Sequence, residues 1–345
     1  LPWRHTQDPY KIWLSEIILQ QTRVAQGTSY YYKFIEKYKD VNALADANLD
    51  EVLLLWQGLG YYSRARNLHK AAKEIQQNYS GNFPKTYNEI IALKGIGEYT
   101  ASAISSFAFN LPHAVVDGNV FRVLARYYGI DMPINTGAAK KYFTELANEI
   151  LDKKNAAAHN QAIMEFGALQ CTPTNPNCKN CCLALSCVAL KNDEVSLLPV
   201  KEKKLKIKTR FFNYFIVYEE EFVYIKQRGA NDIWEGLFEF PLIETETSID
   251  ELKLLETKQF TTIFGDEKFE LLSVSANIKH VLTHRIILCK FYQIKFLKES
   301  PKKHSTVYLK IRFTDLENYA LPRLIDRFIK QDIKQTNLYA GQYLF

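Results

Sequence analysis

The sequence has no run of about 18 uninterrupted apolar residues, so no helix in it is written to cross a bilayer. Its opening Leu1-Pro2-Trp3-Arg4 lacks the charged stretch and apolar run of an export signal. Internal repeats and low-complexity segments are missing too, which excludes a solenoid or a largely disordered chain. Period-two alternation of useful length is absent before about residue 205, so the first half is not built on sheets. Charge is nearly balanced: 44 Lys and Arg against 38 Asp and Glu leave +6, a bias that favours a polyanionic partner without requiring one. At 345 residues, with 47% hydrophobic and 24% charged, the chain has the length for two globular domains.

What is present first is helical punctuation. Asp8 before Pro9 reads as an N-cap with proline in the first turn, and Tyr10, Trp13, Leu14, Ile17 and Ile18 follow at helical spacing. Glu16, Gln20 and Arg23 share another side of that helix, which on periodicity alone would be a solvated polar face. Residues 42–56, 64–78, 86–93, 98–108, 119–128 and 138–151 read as further helices. Thr86 and Glu89 have the spacing of a capping box, and Lys94-Gly95-Ile96-Gly97 then joins two helices through a tight Gly-x-Gly turn. Such a turn lets backbone approach a ligand, and the next helix offers unpaired N–H groups and a positive dipole end, which together suit a phosphate of a DNA backbone. A plain connector would use the same glycines.

Six cysteines occur, and four of them, Cys171, Cys178, Cys181 and Cys187, are spaced C-x6-C-x2-C-x5-C. Crowded thiols without an export signal point to a metal centre more than to disulfides. A four-cysteine zinc site usually pairs two short knuckles, and only one is here, so the spacing leans toward an iron-sulfur centre while leaving zinc open. Cys182, beside a ligand candidate, and Cys289, in an apolar run, read as structural.

Beyond Leu197–Pro199 the composition shifts. Lys201, Lys203, Lys204, Lys206, Lys208 and Arg210 form a basic run expected to be an exposed linker. Strands are expected at 211–218 and 222–228, a helix near 249–257, strands near 285–296 and 306–313, and a helix after Asp315, an α+β arrangement.

Leu93-x-Gly95-x-Gly97-x-x-Thr100-Ala101, then Val116-Asp117-Gly118-Asn119-Val120, then the four-cysteine loop, resembles the endonuclease III superfamily over roughly residues 3–187. Pro2-Trp3-Arg4, Ser15-Glu16-Ile17-Ile18-Leu19-Gln20-Gln21-Thr22 and Gly58-Leu59-Gly60-Tyr61-Tyr62-Ser63-Arg64 are similar to its MutY branch, the adenine DNA glycosylases. Lytic members carry a lysine two residues after the second glycine. Tyr99 stands there, and a phenol forms no Schiff base, so water is the expected nucleophile.

The resemblance implies a multi-domain chain: an all-α helix-hairpin-helix glycosylase domain over 1–190, with its hairpin at 86–108 and a [4Fe-4S] cluster loop at 171–187, a basic linker over 191–209, and an α+β Nudix-like domain over 210–345 that recognises 8-oxoguanine. It implies Glu16 as general acid, Asp117 as the anion beside the sugar, Tyr99 and Asn119 positioning them, and Arg4 at the base pocket. Gln21, Thr22, Tyr61, Gly95 and Gly97 would meet DNA, with Gln21 and Tyr61 as wedges. The four cysteines would hold the cluster. Asp117 also suits the N-cap of the helix after it. Trp234-Glu235-Gly236-Leu237-Phe238-Glu239-Phe240-Pro241 resembles the start of a Nudix motif, but 242–255 lacks the Arg-Glu-x-x-Glu-Glu block that binds magnesium, so hydrolysis by this domain is not expected. Leu282-Thr283-His284 is similar to the family's Phe-Ser-His loop, with two of three residues changed, and Thr283 and His284 would read the lesion. The implied activity is monofunctional removal of adenine paired with 8-oxoguanine or guanine from double-stranded DNA, by a monomer without a membrane, in the cytoplasm and at the nucleoid if the source is bacterial. The rivals are a pyrimidine-specific lyase, which Tyr99 disfavours, a cluster-based electron carrier, and a DNA-binding module without catalysis.

Overall fold

The computed structural model describes residues 1–202, 207–265, 268–297 and 307–333. By packing the chain divides into Leu1–Ala47 with Arg66–Lys204, and Asn48–Ala65 with Leu205–Phe345.

The first unit is all-helical. Its helices are α1 (Pro9–Leu19), α2 (Val24–Lys37), α3 (Val41–Asp46), and, after α4 (Leu49–Leu55) of the other unit, most of α5 (Ser63–Asn78). Then come α6 (Tyr87–Ala92), α7 (Glu98–Phe109), α8 (Gly118–Tyr128), α9 (Gly137–Ile150), α10 (Ala156–Leu169) and the short α11 (Val188–Lys191). Local chemistry sets several ends. Asp8 accepts from the Tyr10 and Lys11 amides at 3.0 and 3.4 Å with Pro9 at the first position. Thr86 and Glu89 close the expected capping box. α1 packs on α2 and α7, and α8 on α9, α10 and α11. The α1–α2 approach needs Gly27, where a Cβ would come within 2.8 Å of the Leu19 side chain.

Two expectations are corrected here. The helix expected over 42–56 is two helices, because Ala47 turns extended and the Asn48 side chain caps α4 by accepting from the Asp50 amide at 2.8 Å. The basic run is not a free linker throughout: within it Glu202 exchanges two hydrogen bonds with the Asn135 side chain at 2.9 Å each, while Lys208 and Arg210 already lie in a strand. Lys203, Lys204 and Lys206 fall outside the described residues. Helices α2 and α10 were not expected. α2 begins Val24-Ala25-Gln26-Gly27-Thr28 and continues through three consecutive tyrosines, weak helix formers that only its packing on α1 overrides.

The second unit is a sheet between two apolar layers. Its strands are β1 (Lys208–Glu219), β2 (Phe222–Gln227), β3 (Phe238–Glu239), β4 (Leu242–Thr245), β5 (Phe269–Val274), β6 (Ile278–Val281), β7 (Arg285–Phe296) and β8 (Leu309–Arg312). The path runs β3-β2-β1-β7-β5, with β4 on β1, β6 on β7 and β8 on β2. β1 and β7 pair in parallel from Lys208↔Arg285 to Tyr218↔Lys295, and the other pairs are antiparallel. Because β1 is covered on both faces, Phe212–Val217 are all buried and do not alternate with polar residues; the one polar side chain among them, Asn213, donates to Ile243 O at 3.2 Å. α12 (Glu251–Leu255) and α13 (Lys258–Phe264) close one face with Leu254, Phe260 and Phe264. α14 (Arg323–Phe328) closes the other with Leu324, Ile325 and Phe328, next to a buried Cys289. α4 joins this unit through Asp50, which accepts from Gln227 at 2.9 Å, and the turn after α4 through Gln57, which accepts from the Leu321 amide at 3.2 Å. No helix among the described residues is long and apolar enough to cross a membrane.

Candidate active site

A cavity of about 510 Å³ opens in the helical unit. α1 supplies Glu16, the segment before α8 supplies Asp117, α7 supplies Tyr99, and Arg4 and Asn119 complete the lining. Residues 101 positions apart in sequence therefore face one space. Of the three residues read as one polar side of α1, Glu16 is only 8% exposed, while Gln20 is half-buried and Arg23 lies exposed beyond the helix end. The solvated-face reading of Glu16 fails for that reason.

Glu16 Oε2 accepts a hydrogen bond from the Tyr99 hydroxyl at 2.9 Å. Burial pushes the Glu16 carboxyl up to about 7; the charge of Asp117 adds to this, while the Tyr99 hydrogen bond and Arg4 pull the other way. A carboxylic acid poised near neutrality can deliver a proton and take one back. Tyr99 is itself pushed well above its ordinary value, by burial first and then by the two carboxylates, and so remains a hydroxyl donor.

Asp117 does two jobs at once, one toward the backbone and one toward a side chain. Its Oδ1 caps α8, accepting from the Asn119 and Val120 amides at 2.8 Å each, and its Oδ2 accepts from Asn119 Nδ2 at 2.8 Å. Asn119 is held in turn by Arg122 Nη2, which donates to Asn119 Oδ1 at 2.9 Å. Because a guanidinium only donates, the Asn119 oxygen must face Arg122 and its NH2 must face Asp117. Arg122 also donates to Gly167 O and to Cys171 O at 2.5 and 2.7 Å. Gly167 lets α10 approach this point, since a Cβ there would sit 2.8 Å from Asn119 Cβ. Sequence reasoning passed over Arg122. Its signal was an arginine three residues after Asn119 inside an apolar helix, which is costly unless it has partners to serve. Glu165, which pairs with Arg4 at 2.5 Å, was passed over as well.

The glycine hairpin stands where expected. Gly95 has φ +79, and a Cβ on it would meet Asn67 at 2.5 Å, so both conformation and space demand glycine. Ile96 is buried and anchors the tip, while Gly95 and Gly97 are exposed and Gly97 caps α7. Gln21, exposed just after α1, has φ +53, a left-handed conformation that costs a non-glycine residue energy and often marks a working position. Thr22 follows it, half-buried at the edge of the cavity. In the second unit Tyr61 is likewise left-handed, at φ +46 and 46% exposed, and its hydroxyl hydrogen-bonds that of Thr283. Thr283 and His284 are both exposed.

Cys171, Cys178, Cys181 and Cys187 line one small cavity; Cys182 does not, and is exposed. As placed, no three or more His, Cys, Asp or Glu among the described residues close to metal-binding geometry. Arg126, 3% exposed, braces the loop by donating to Thr172 O and Pro173 O and lies 3.5 Å from Cys171 Sγ. Four thiols converging beside a buried cation form a donor set suited to an anionic thiolate-bound centre.

A glycine hairpin between helices, set near a cavity with two carboxylates and a cysteine loop, defines a class. Residues 14–149 match the HhH-GPD superfamily of base excision DNA repair proteins, and residues 213–331 match the NUDIX domain. The adenine DNA glycosylase of Buchnera aphidicola subsp. Baizongia pistaciae is 38% identical over 286 residues, 82% of this chain and 78% of that protein. That of Buchnera aphidicola subsp. Acyrthosiphon pisum is 32% identical over 332 residues, 96% of this chain and 92% of that protein. Among solved structures, a thermostable thymine-DNA glycosylase matches with a TM-score of 0.52 at 32% identity, over 56% of this chain and 88% of that one. The chain is thus a helix-hairpin-helix protein of base excision DNA repair. More narrowly, it belongs to the adenine DNA glycosylase family.

Proposed function

We propose that this chain removes adenine paired with 8-oxoguanine or guanine in duplex DNA, by base flipping and hydrolysis of the N-glycosidic bond. The observation that carries the reading is Glu16, buried with its carboxyl near neutrality and sharing one cavity with Asp117. An adenine turned out of the stack enters the cavity, and Gln21 and Tyr61 fill the gap it leaves. Glu16 gives its proton to N7. The C1′–N9 bond then breaks with its electrons going to the base, which leaves as neutral adenine. The sugar carries the positive charge of an oxocarbenium ion, and the Asp117 carboxylate stabilises it. Water adds its oxygen to C1′, and its proton returns to Glu16, which restores the acid. Tyr99 and Asn119 hold the two carboxyls. With a phenol in place of an amine at 99, no strand cut follows through a Schiff base. The hairpin amides at Gly95 and Gly97 hold backbone phosphate irrespective of sequence, and Thr283 and His284 read the base opposite adenine.

The four cysteines would hold a [4Fe-4S] cluster, whose thiolate bonds fix the 171–187 loop as a rigid piece of the DNA-binding surface. Metal analysis of the purified, brown protein is expected to give iron near four per chain; zinc in its place, without iron, rejects the cluster. For the activity, a panel of duplexes with adenine opposite 8-oxoguanine, guanine, cytosine and thymine is the deciding assay. Free adenine is expected from the first two and little strand scission without added alkali. Release of pyrimidines, or cutting without alkali, would reject the reading.

A further inference from the structure

The loop after β2 carries a carboxylate that the chemistry above does not use. Asp232 accepts from both terminal nitrogens of Arg210, at 2.6 and 2.9 Å, and from Arg228 Nη2 at 2.6 Å. Both arginines are fixed from behind: Arg210 pairs with Glu244 through Nε and Nη2 at 2.5 and 2.6 Å, and Arg228 pairs with the buried Glu239 and donates to Ile233 O at 2.9 Å. Burial is the largest single influence on Asp232 and would raise it, but the Arg210 hydrogen bonds, the Ile233 amide and the charges of Arg210 and Arg228 together outweigh it and hold the carboxyl well below the usual range. The result is a preset anionic anchor on the sheet end.

A third cation reaches that anchor. Arg285 Nη1 lies 3.3 Å from Asp232 Oδ1. Arg285 opens β7 and closes the turn that begins at Leu282, whose amide donates to Arg285 O at 2.8 Å. Leu282 packs onto the core, which leaves Thr283 and His284 exposed at the crest. The same loop grips the hairpin a second time: the Trp234 ring meets His280 of β6 edge-on, with centroids 5.9 Å apart. Asn231 and Trp234 are both left-handed, at φ +70 and +61, a loop conformation that persists only where its contacts over-determine it.

We infer that Asp232 and Arg285 are positioning residues for recognition of the base opposite adenine, fixing the Leu282–Arg285 turn so that Thr283 and His284 are presented in one geometry. This rests on the reading above that those two residues meet that base. Without the ion pair the turn keeps its hydrogen bonds and the Trp234–His280 contact but loses the charged anchor at its base, so discrimination falls while the fold persists.

The test measures adenine release from duplexes carrying adenine opposite 8-oxoguanine or opposite guanine, and takes the ratio of the two rates at subsaturating enzyme. Arg285→Gln is expected to lower the ratio about three- to five-fold, the scale for one partly exposed pair, with most of the loss on the 8-oxoguanine duplex. Arg285→Lys is expected to recover at least half of it, which a general loss of stability would not produce. Thr283→Ala combined with His284→Ala is run beside them. If the double variant lowers the ratio and Arg285→Gln does not, the positioning role is overturned and the reading of the opposite base stands. If neither lowers it, both are overturned. Equal loss on the two duplexes in Arg285→Gln also overturns the positioning role.

Discussion

Replacing Glu16 with glutamine is expected to slow adenine release by about 10²–10⁴-fold, the range that one placed general acid contributes, while affinity for the mispaired duplex changes little. Glutamine keeps the size of the side chain and an oxygen to accept the Tyr99 hydroxyl, but it holds no proton to give to N7. Single-turnover release with saturating enzyme separates this from a binding defect. Turnover within ten-fold of the parent would reject Glu16 as the acid.

The same residue sets the pH dependence. With its carboxyl near 7, Glu16 is protonated below that value, so the rate should fall as pH rises through about 7. Stability should follow in the same direction. A carboxyl raised from 4.5 to about 7 binds its proton more tightly in the folded chain. Its stabilising contribution is whole below the unfolded value and is lost as pH climbs through the folded one. Glutamine has no such loss, so Glu16→Gln should be more stable than the parent at pH 8 by about 3 kcal/mol, and equally stable near pH 4. Thermal melts at the two pH values read this directly. An inactive but hardened variant is the signature of a buried acid kept for chemistry at a cost in stability.

Much of this site was legible in the sequence because its parts are local. The Asp8-Pro9 start of α1, the Thr86–Glu89 capping box and the Gly95–Gly97 turn are fixed by neighbours within a few residues, and each stands as read. Cys289 was legible as a buried small residue for the same reason: its flanking run is apolar. What was not legible depended on distant partners. Periodicity set Glu16 on a polar face, and only the approach of α7 and the α8 entry turns that face into a cavity wall. Arg122 joins Asn119, Gly167 and Cys171, and although its charge among apolar helix residues hints at a role, two of these partners lie 45 and 49 positions away and cannot be read locally. In the second unit β5 and β6 escaped notice because each is a short strand held by β7, and α13 because Lys258–Phe264 is too short to show a period.

Asp117→Asn is expected to lower adenine release by at least about 10²–10³-fold, the scale for removing one charge-stabilising group from a water-poor site. The cap on α8 survives this change, because asparagine caps as well as aspartate. The new amide, however, meets Asn119 Nδ2, which Arg122 prevents from turning over, so two donors face each other. Asp117→Ala avoids that conflict and loses the cap instead. Each variant should therefore cost about 1–2 kcal/mol of stability, far too little to unfold a chain whose activity has fallen a hundred-fold or more. Equal activity loss in the two variants, at such similar stability, assigns the effect to the missing anion. One further consequence separates an anion that senses Glu16 from one that merely lies nearby. Asp117 adds to the burial that raises Glu16, so its removal should move the descending limb of the pH–rate profile to lower pH in both variants. A limb that stays near 7 would mean that the two carboxyls do not act across a common space, and the pairing of acid and anion over one flipped nucleoside would have to be abandoned.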